Sequence, residues 1–394
     1  MQYESYSRMS SLPPPVSPVG APSLPSQGDT AGGVLRIEEY EHPREFAPDL
    51  LAFINAAEVE GVELGTTWQR NLIDTVFPAH PGVRFYVLRR GAEPVAVLPL
   101  LVEKSVAANE IHALSNFYCA LYAPVVRPDV DGQQMAMLLR HARAMHGSVS
   151  LFRFAPMDPA SHAFACLHAG LRAAGLVPFK FFSFGNWYMP VDTAWPDYLA
   201  ARDGVLRSTI KRMGKKFANA GGTLQLITGG DQLERGIAAY EKVYASSWKI
   251  PEPFPGFMPG LMRACAERGW LRLGVAWLAN EPIAAQLWIV GEGKAAIYKL
   301  AYHEDHKAYA PGTLLTTLLM QHAMEVDKVA EIDYLIGDDA YKKSWMNCRR
   351  ERWGIVAYNP RSPVGLFKLG KETAGRAWKS WFPARAAADN HQQT

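Results

Sequence analysis

A five-residue pattern occurs twice in this chain, and its spacing limits the architecture more than any other feature. Ala92-Glu93-Pro94-Val95-Ala96 aligns with Asn280-Glu281-Pro282-Ile283-Ala284, 188 residues further on. Each copy opens an apolar run, which lasts to Val102 in the first and to Val290 in the second. Before each run stands a turn, so each copy reads as part of a hairpin. The offset is too long for a solenoid repeat and suits a duplicated domain. The order of helices and strands on either side of the copies also agrees. The expected fold is α/β: two tandem domains, each a mixed, twisted sheet flanked by helices. A length of 394 residues, more than one ordinary core supports, fits that expectation.

Bulk composition excludes several functional classes. Hydrophobic residues make up 48% and charged residues 20%, a soluble, globular balance. A formal charge of +3 is too small to argue for nucleic acid, and no DNA partner is expected. Cys119, Cys166, Cys265 and Cys348 lie far apart without a CxxC pair, so neither a zinc site nor a disulfide framework is expected, and no metal is assigned. They read as buried thiols of a reducing compartment. The N-terminus shows no basic region followed by an apolar core, and the expected location is the cytoplasm.

Residues 1–34 are rich in Pro, Ser and Gly, with Pro13-Pro14-Pro15, and read as a disordered tail. A first domain is expected over 35–194. It holds a helix over 48–55, the hairpin of 85–88 and 95–102, and a strand and loop over 114–124. A helix over 132–145, a strand over 149–154, a helix over 161–174 ended by Gly175, and a strand over 179–189 complete it. The second domain is expected over 195–362 and starts with a basic linker helix, 198–218. Arg207, Lys211 and Lys215 share one face of that helix, with Arg212 and Lys216 on the adjoining stripe. The pattern is that of a solvated face or of a platform for an anionic group. Strand 224–228, a helix over 231–247 capped by Asp231, a helix over 259–268 and strand 270–277 lead to the second hairpin. The segment 363–394 is a basic amphipathic tail. It suits either packing on its own domain or docking on a membrane surface or a partner.

Candidate chemistry concentrates between Asn280 and Trp345. The strand Glu281–Val290 is followed by Ile297–Tyr302, a polar loop from His303 to Lys307, and a helix that opens at Tyr309-Ala310-Pro311-Gly312. A strand at Ile332–Leu335 then breaks at Gly337-Asp338-Asp339. Helices have free N–H groups and a positive dipole end at their N-terminus, so the helix at Pro311 can face an anionic group.

Several pieces of this frame resemble one family. They are Ser247-Trp248-Lys249 with Glu252, Ala284-x-Gln286, Lys299-Leu300-Ala301-Tyr302, Ala310-Pro311-Gly312-x-Leu314-Leu315, and Asp333-Tyr334-x-x-Gly337-Asp338-x-x-Tyr341-Lys342-x-x-Trp345. Together with Leu114-Ser115-Asn116-Phe117-Tyr118 and Gly185-Asn186-Trp187 of the first half, they resemble the GNAT-superfamily acetyltransferases of the CelD-like, Fem-like branch, over residues 35 to 360. The resemblance implies two tandem GNAT-like domains, with the donor site retained in the second. It implies an acyltransferase that moves an acyl group from acetyl-CoA or another acyl-CoA to an amine or hydroxyl, often on a small-molecule or glycan-precursor acceptor in envelope or exopolysaccharide biosynthesis. Fem-type relatives instead transfer aminoacyl groups from tRNA to peptidoglycan precursors, and a fold that has lost catalysis would act as a binding module. The usual pyrophosphate loop of the superfamily is replaced here by Tyr309-Ala310-Pro311-Gly312, and His303 stands where relatives often carry an acid.

Acyl transfer needs a proton acceptor, stabilisation of developing negative charge, and a proton for the leaving thiolate. Asp338 or Asp333 is the candidate base, and Tyr341 or Tyr302 the candidate proton donor. Lys342 and Lys299 suit the donor phosphates or the developing charge. Gln286, Lys299, Tyr302, Pro311, Gly312 and Thr313 form the expected donor site. Trp248, Lys249, Glu252, Arg207 and Lys211 form the expected acceptor side. Plainer readings stand beside these: a strand-end hydrogen bond for Asp333, a turn for Asp338, core packing for Trp248 and Trp345, and an ion pair between Lys249 and Glu252.

Overall fold

Residues 33–381 are described by a computed structural model of the chain, so the expected tail lies outside the described residues apart from 33 and 34. Both halves follow one element order. The first runs β1 (Leu35–Tyr40), α1 (Pro48–Asn55), α2 (Thr66–Val76), β2 (Val83–Arg90), β3 (Glu93–Glu103), β4 (Asn109–Ala113), the short β5 (Val125–Val126), α3 (Gly132–Met145), β6 (Val149–Met157), α4 (His162–Ala173) and β7 (Val177–Pro190). Two helices, α5 (Trp195–Ala200) and α6 (Gly204–Asn219), lead into the second. It runs β8 (Thr223–Ile227), α7 (Leu233–Ala245), α8 (Phe257–Glu267), β9 (Leu271–Leu278), β10 (Glu281–Gly291), β11 (Lys294–Tyr302), α9 (Pro311–Glu325), β12 (Glu331–Asp333), α10 (Ala340–Lys343) and β13 (Cys348–Tyr358). A final helix, α11 (Pro363–Trp381), follows. With β5 set aside, each half reads β-α-α-β-β-β-α-β-α-β, and the repeated Glu-Pro opens β3 in one and β10 in the other.

One mixed sheet runs through both halves in the order β1-β2-β3-β4-β6-β13-β7-β12-β11-β10-β9-β8, with β5 on the side of β3. The last strands are exchanged. β13, from the second half, lies antiparallel between β6 and β7, while β7, from the first half, lies between β13 and β12. Each half is therefore closed by the other's final strand. Gly354 allows the close pairing of β13 with β7, since a Cβ there would lie 2.2 Å from the Phe181 ring.

The largest core is shared by α1, α2, α7 and α8 on one face. Trp68 of α2 meets Phe257 of α8 edge-on at 5.8 Å, and Asn71 donates from Nδ2 to the Phe257 carbonyl at 3.0 Å. Phe257 also stacks on Tyr118 at 4.0 Å, so one ring joins both halves and the loop before β5. A second core lies under α3 and α4, and a third under α9.

Three local expectations are corrected. The linker helix over 198–218 is two helices, because Asp203 caps a new start by accepting from the Leu206 N–H at 2.7 Å. Residues 114–124 form no strand, since β4 ends at Ala113. Asp231 caps no helix: it sits in a 3-10 turn, Gly230–Gln232, ahead of α7. Of the cysteines, Cys119, Cys166 and Cys265 are buried and Cys348 is half-buried.

Removing the Phe257 ring should cost about 3–5 kcal/mol, the range for an aromatic truncated in a full core. Because this core spans both halves, chemical denaturation followed by tryptophan fluorescence and by far-UV circular dichroism should give coincident single transitions for wild type and for Phe257→Ala. Separate transitions for the two halves would contradict the shared core.

Candidate active site

The site is a gap in the sheet between β11 and β12. These strands pair in parallel over Lys294–Ala296 and Glu331–Asp333, and then part. On the β11 side the cause is a bulge: Trp288 pairs with Ile297 and Leu287 with Lys299, leaving Tyr298 as an extra residue. Its hydroxyl donates to the Tyr118 carbonyl at 2.6 Å, which fixes the bulge to the first half. On the β12 side the cause is Asp333. Its carboxylate accepts from the Leu335 N–H at 2.6 Å and from Asn186 Nδ2 at 2.5 Å, and it pairs with Arg350. Leu335 is thereby held at φ 53°, a left-handed conformation that turns the chain out of the sheet.

The gap opens into a cavity of about 280 Å³. Its walls include Ile297, Tyr298, Lys299 and Leu300 of β11, Tyr334 to Ile336 after β12, Asp339, Tyr341 and Lys342 around α10, Lys249, and the Phe117–Tyr118 pair of the first half. At one end lies α9. Ala310, at φ 49°, precedes it and provides no side-chain cap; Pro311 has no N–H, and the Leu314 N–H bonds to the Ala310 carbonyl at 3.2 Å. The N–H groups of Gly312 and Thr313 are thus the free donors of that turn. Space exists beside them: a Cβ on Gly312 would meet nothing nearer than Tyr302, at 3.7 Å.

Gln286 is fully buried and holds this helix start rather than facing the cavity. Its Nε2 donates to the Gly312 carbonyl at 2.7 Å and to Thr316 at 2.9 Å, while its Oε1 accepts from Trp288 at 3.0 Å. Tyr302 packs against Trp248 with ring centroids 4.5 Å apart. Arg207 and Lys211 are exposed on α6, which lies along α9. Lys216, at the far end of α6, donates to the Ala308 carbonyl at 3.0 Å, beside the start of α9.

Two lysines, Lys249 and Lys299, line the cavity, and their charges act on one another. Lys299 pairs with Glu252 at 2.9 Å, and Glu252 also accepts from the Tyr118 hydroxyl at 2.5 Å. Burial pulls the Glu252 carboxyl upward, but those hydrogen bonds and the Lys299 charge outweigh it and hold it below its ordinary value. Lys249 forms no ion pair with it among the described residues, in contrast to the simple salt bridge expected; its ammonium sits 5.8 Å from the Tyr244 and Trp248 rings. Burial first, and the Lys299 charge second, bring the Lys249 amine down to about 8.

Neither Asp338 nor Asp333 lines this cavity. Asp338 accepts from Trp187 Nε1 at 2.6 Å and from Arg349 at 2.8 and 3.0 Å, and the Arg349 hydrogen bonds keep its carboxyl below the usual range. Asp333 is buried in the network that shapes the gap, beside a separate cavity of about 40 Å³. Tyr341 and Lys342 do line the site. Burial raises the Tyr341 phenol to about 12. Lys342, also lowered by burial, is spent on the loop beneath it: it donates to the Ile336 carbonyl and pairs with Asp339 at 3.2 Å. Trp345 is core, whereas Trp248 is half exposed. Phe117, Tyr118, Tyr298 and Asp339 also line the cavity, though the sequence reading assigns them no role in the site. The first three arrive from a loop or a bulge, which leave no periodic signal.

The first half has the corresponding gap and has filled it. β4 and β6 pair in parallel from Asn109–Val149 to His112–Arg153, after which residues 114–124 occupy the opening. Ser115 Oγ donates to the Ala155 carbonyl at 2.8 Å, the Tyr122 N–H to Pro156 at 2.6 Å, and the Tyr122 hydroxyl to Pro99 at 2.8 Å. At the start of α3, Asp131 accepts from the Gln133 and Gln134 N–H groups, each at 2.9 Å, in a complete capping box.

The candidate site is thus a sheet opened between a bulged strand and its parallel neighbour. Residues 205–343 match the acetyltransferase (GNAT) domain family. The whole described fold is mixed α/β with GNAT-like halves in tandem. Among solved structures, FemX is similar with a TM-score of 0.59 at 14% identity, covering 84% of this chain and 99% of FemX. A tandem GNAT protein from the clavulanic acid biosynthesis pathway aligns at 16% identity, with a TM-score of 0.47 and coverage of 82% and 98%. The C-terminal domain of a putative lysylphosphatidylglycerol synthetase from Agrobacterium fabrum aligns at 12% identity, with a TM-score of 0.48 and coverage of 80% and 94%. No curated protein matches the chain.

Replacing Asp333 by Ala removes the carboxylate that turns Leu335 and leaves Arg350 with a lost partner in a buried network. A destabilisation of about 3 kcal/mol is expected in urea titrations, the scale for charged hydrogen bonds in a buried pair. A cost below about 0.5 kcal/mol would show that the turn at Leu335 does not depend on Asp333.

Proposed function

We propose that the protein transfers an acyl group from an acyl-CoA thioester to an amine or hydroxyl, with the donor held in the gap of the second half. The contrast between the halves carries this reading: one opening is free beside an uncapped helix, and its counterpart is filled beside a self-capped one. The free β11 edge past Ala296 offers backbone N–H and C=O groups suited to the amides of a pantetheine arm. The Gly312 and Thr313 N–H groups, at the positive end of α9, suit a pyrophosphate. Lys216 and the exposed cations of α6 supply further charge nearby.

The thioester supplies an activated acyl carbon and a thiolate leaving group. Lys249, in its neutral form, accepts the proton that the acceptor's N–H or O–H loses as the new C–N or C–O bond forms and the C–S bond breaks. Lys299, Tyr118 and Glu252 hold the inner wall, and Tyr341 presents a protonated hydroxyl for the departing thiolate. Around the mouth, Phe117, Trp248 and Tyr341 are each about half exposed. Flat, accessible rings of this kind suit the apolar face of a sugar, which supports a glycan-precursor acceptor and a place in envelope or exopolysaccharide synthesis.

A second reading rests on α6. Arg207, Lys211, Arg212 and Lys215 are exposed and form no ion pair among the described residues, a surface that a longer polyanion such as the acceptor end of a charged tRNA could use. That reading predicts activity that requires aminoacyl-tRNA and is lost on ribonuclease treatment.

Isothermal titration with acetyl-CoA and with free coenzyme A tests the donor. Binding in the micromolar range is expected, weakened at least about tenfold by Gly312→Asp, which sets a negative charge against the pyrophosphate. No binding by the folded wild type would overturn an acyl-CoA donor. In turnover assays the rate should rise with pH through about 8, because Lys249 acts as a free base only above its own pKa. Lys249→Met should lower kcat about 10²–10⁴-fold and abolish that rise while leaving acetyl-CoA affinity unchanged. A variant that keeps the wild-type profile would remove Lys249 from the proton path.

A further inference from the structure

The last helix, α11, is built the wrong way round for a helix that only caps a sheet. Gly365, Leu369 and Glu372 face the sheet: Gly365 lies against the Asn359 and Ser150 carbonyls, and Leu369 packs with Leu151, Val356 and Tyr358. At 100° per residue, the opposite stripe carries Leu366, Phe367, Gly370, Ala374, Ala377 and Trp378. It is apolar yet turned outward: Leu366 is 55% exposed, Phe367 74% and Trp378 58%.

Lys371 borders the stripe on one side, and further cations lie beyond it towards the sheet. Lys368, Lys371 and Arg376 of α11, together with Lys180 of β7, ring a groove of about 720 Å³ between the helix and the ends of β7 and β13. Phe181, Phe182, Trp353 and Tyr358 form its floor, and Glu372 is the acid among its lining residues. Lys368 pairs with Glu110 and Arg376 with Glu372, whereas Lys371 is exposed and forms no ion pair among the described residues.

An outward apolar stripe with a basic groove along one side has the chemistry of an interfacial helix, whose rings enter the acyl boundary while the cations beside them meet phosphate. No helix among the described residues is long and apolar enough to cross a membrane, so attachment of this kind would be peripheral. The geometry points to α11 as a docking element for an anionic lipid surface, with the stripe at Leu366 and Phe367 lying in the interface and Lys371, with the groove cations, on the phosphate groups. The partner is a bilayer carrying negative headgroups. Charge complementarity selects it over a second copy of this chain, because two such faces would bring like charges together. This inference is independent of the acyl-transfer reading.

Sedimentation of the full-length protein with vesicles tests it. Vesicles containing phosphatidylglycerol should bind at least about tenfold more protein than vesicles of phosphatidylcholine alone, and raised salt should release it. Leu366→Ser with Phe367→Ser, changes at exposed positions, should lower binding at least about tenfold, as should Lys371→Glu alone. Melting temperatures and acetyl-CoA binding should stay at wild-type values in both variants. Failure of the wild type to bind anionic vesicles, equal binding to neutral ones, or undiminished binding by the variants would overturn the proposal. So would a dimer in analytical ultracentrifugation that the double variant dissolves, which would make this face a contact between copies.

Discussion

The carboxylate of Asp333 decides the form of this protein's site. It sits at the end of a three-residue strand, accepts from the Leu335 N–H and from Asn186, and pairs with Arg350 of the neighbouring exchanged strand. A parallel strand that continued here would pair with β11 and close the sheet. Because Leu335 is turned into a left-handed conformation instead, the sheet opens, and the bulge at Tyr298 widens the opening from the other side. Desolvating a carboxylate and a guanidinium is costly, and the pair is justified only by its full set of hydrogen bonds. The same network ties together β7, β12 and β13, the strands at which the two halves interlock.

The element order shared by the two halves accounts for much of the rest. Both halves have parallel strands that part at the same place in the element order, since that opening is a property of the topology. In the first half the chain after β4 folds back into its own opening, and Asp131 uses up the donors at the start of α3. That half contributes walls instead of a site: Phe117 and Tyr118 reach across to the second cavity, and Phe257 stacks on Tyr118 from the far side. The exchanged final strands interlock the halves, since neither half completes its sheet alone.

Much of this is legible in the sequence alone. The repeated Glu-Pro hairpin, the helix over 132–145 and the helix at Pro311 all rest on local rules of turn chemistry and apolar period, and such rules survive in the fold. The strand exchange was not legible, because β7 and β13 look the same from within the chain whichever neighbour they choose. For the candidate site, the stretch from Asn280 to Trp345 contributes most of the cavity's lining, but the surroundings of each residue depend on partners far away in sequence. Asp338 stands in a suitable motif and is neutralised by Arg349 and Trp187. Lys249 and Glu252 suggested an ion pair, yet Lys299 and Tyr118 take the carboxylate and leave the Lys249 amine in a half-buried, cationic setting. Burial and charge, which set a proton's address, are properties of the assembled neighbourhood.

One half keeps an open gap and the other has filled it, so a donor bound as proposed should protect only the second half. Amide hydrogen exchange, read by mass spectrometry with and without acetyl-CoA, measures both halves in one experiment. Slower exchange over 297–302 and 311–315, with 109–135 unchanged, is the predicted result. Protection confined to 109–135 would place the donor in the first half and contradict the account.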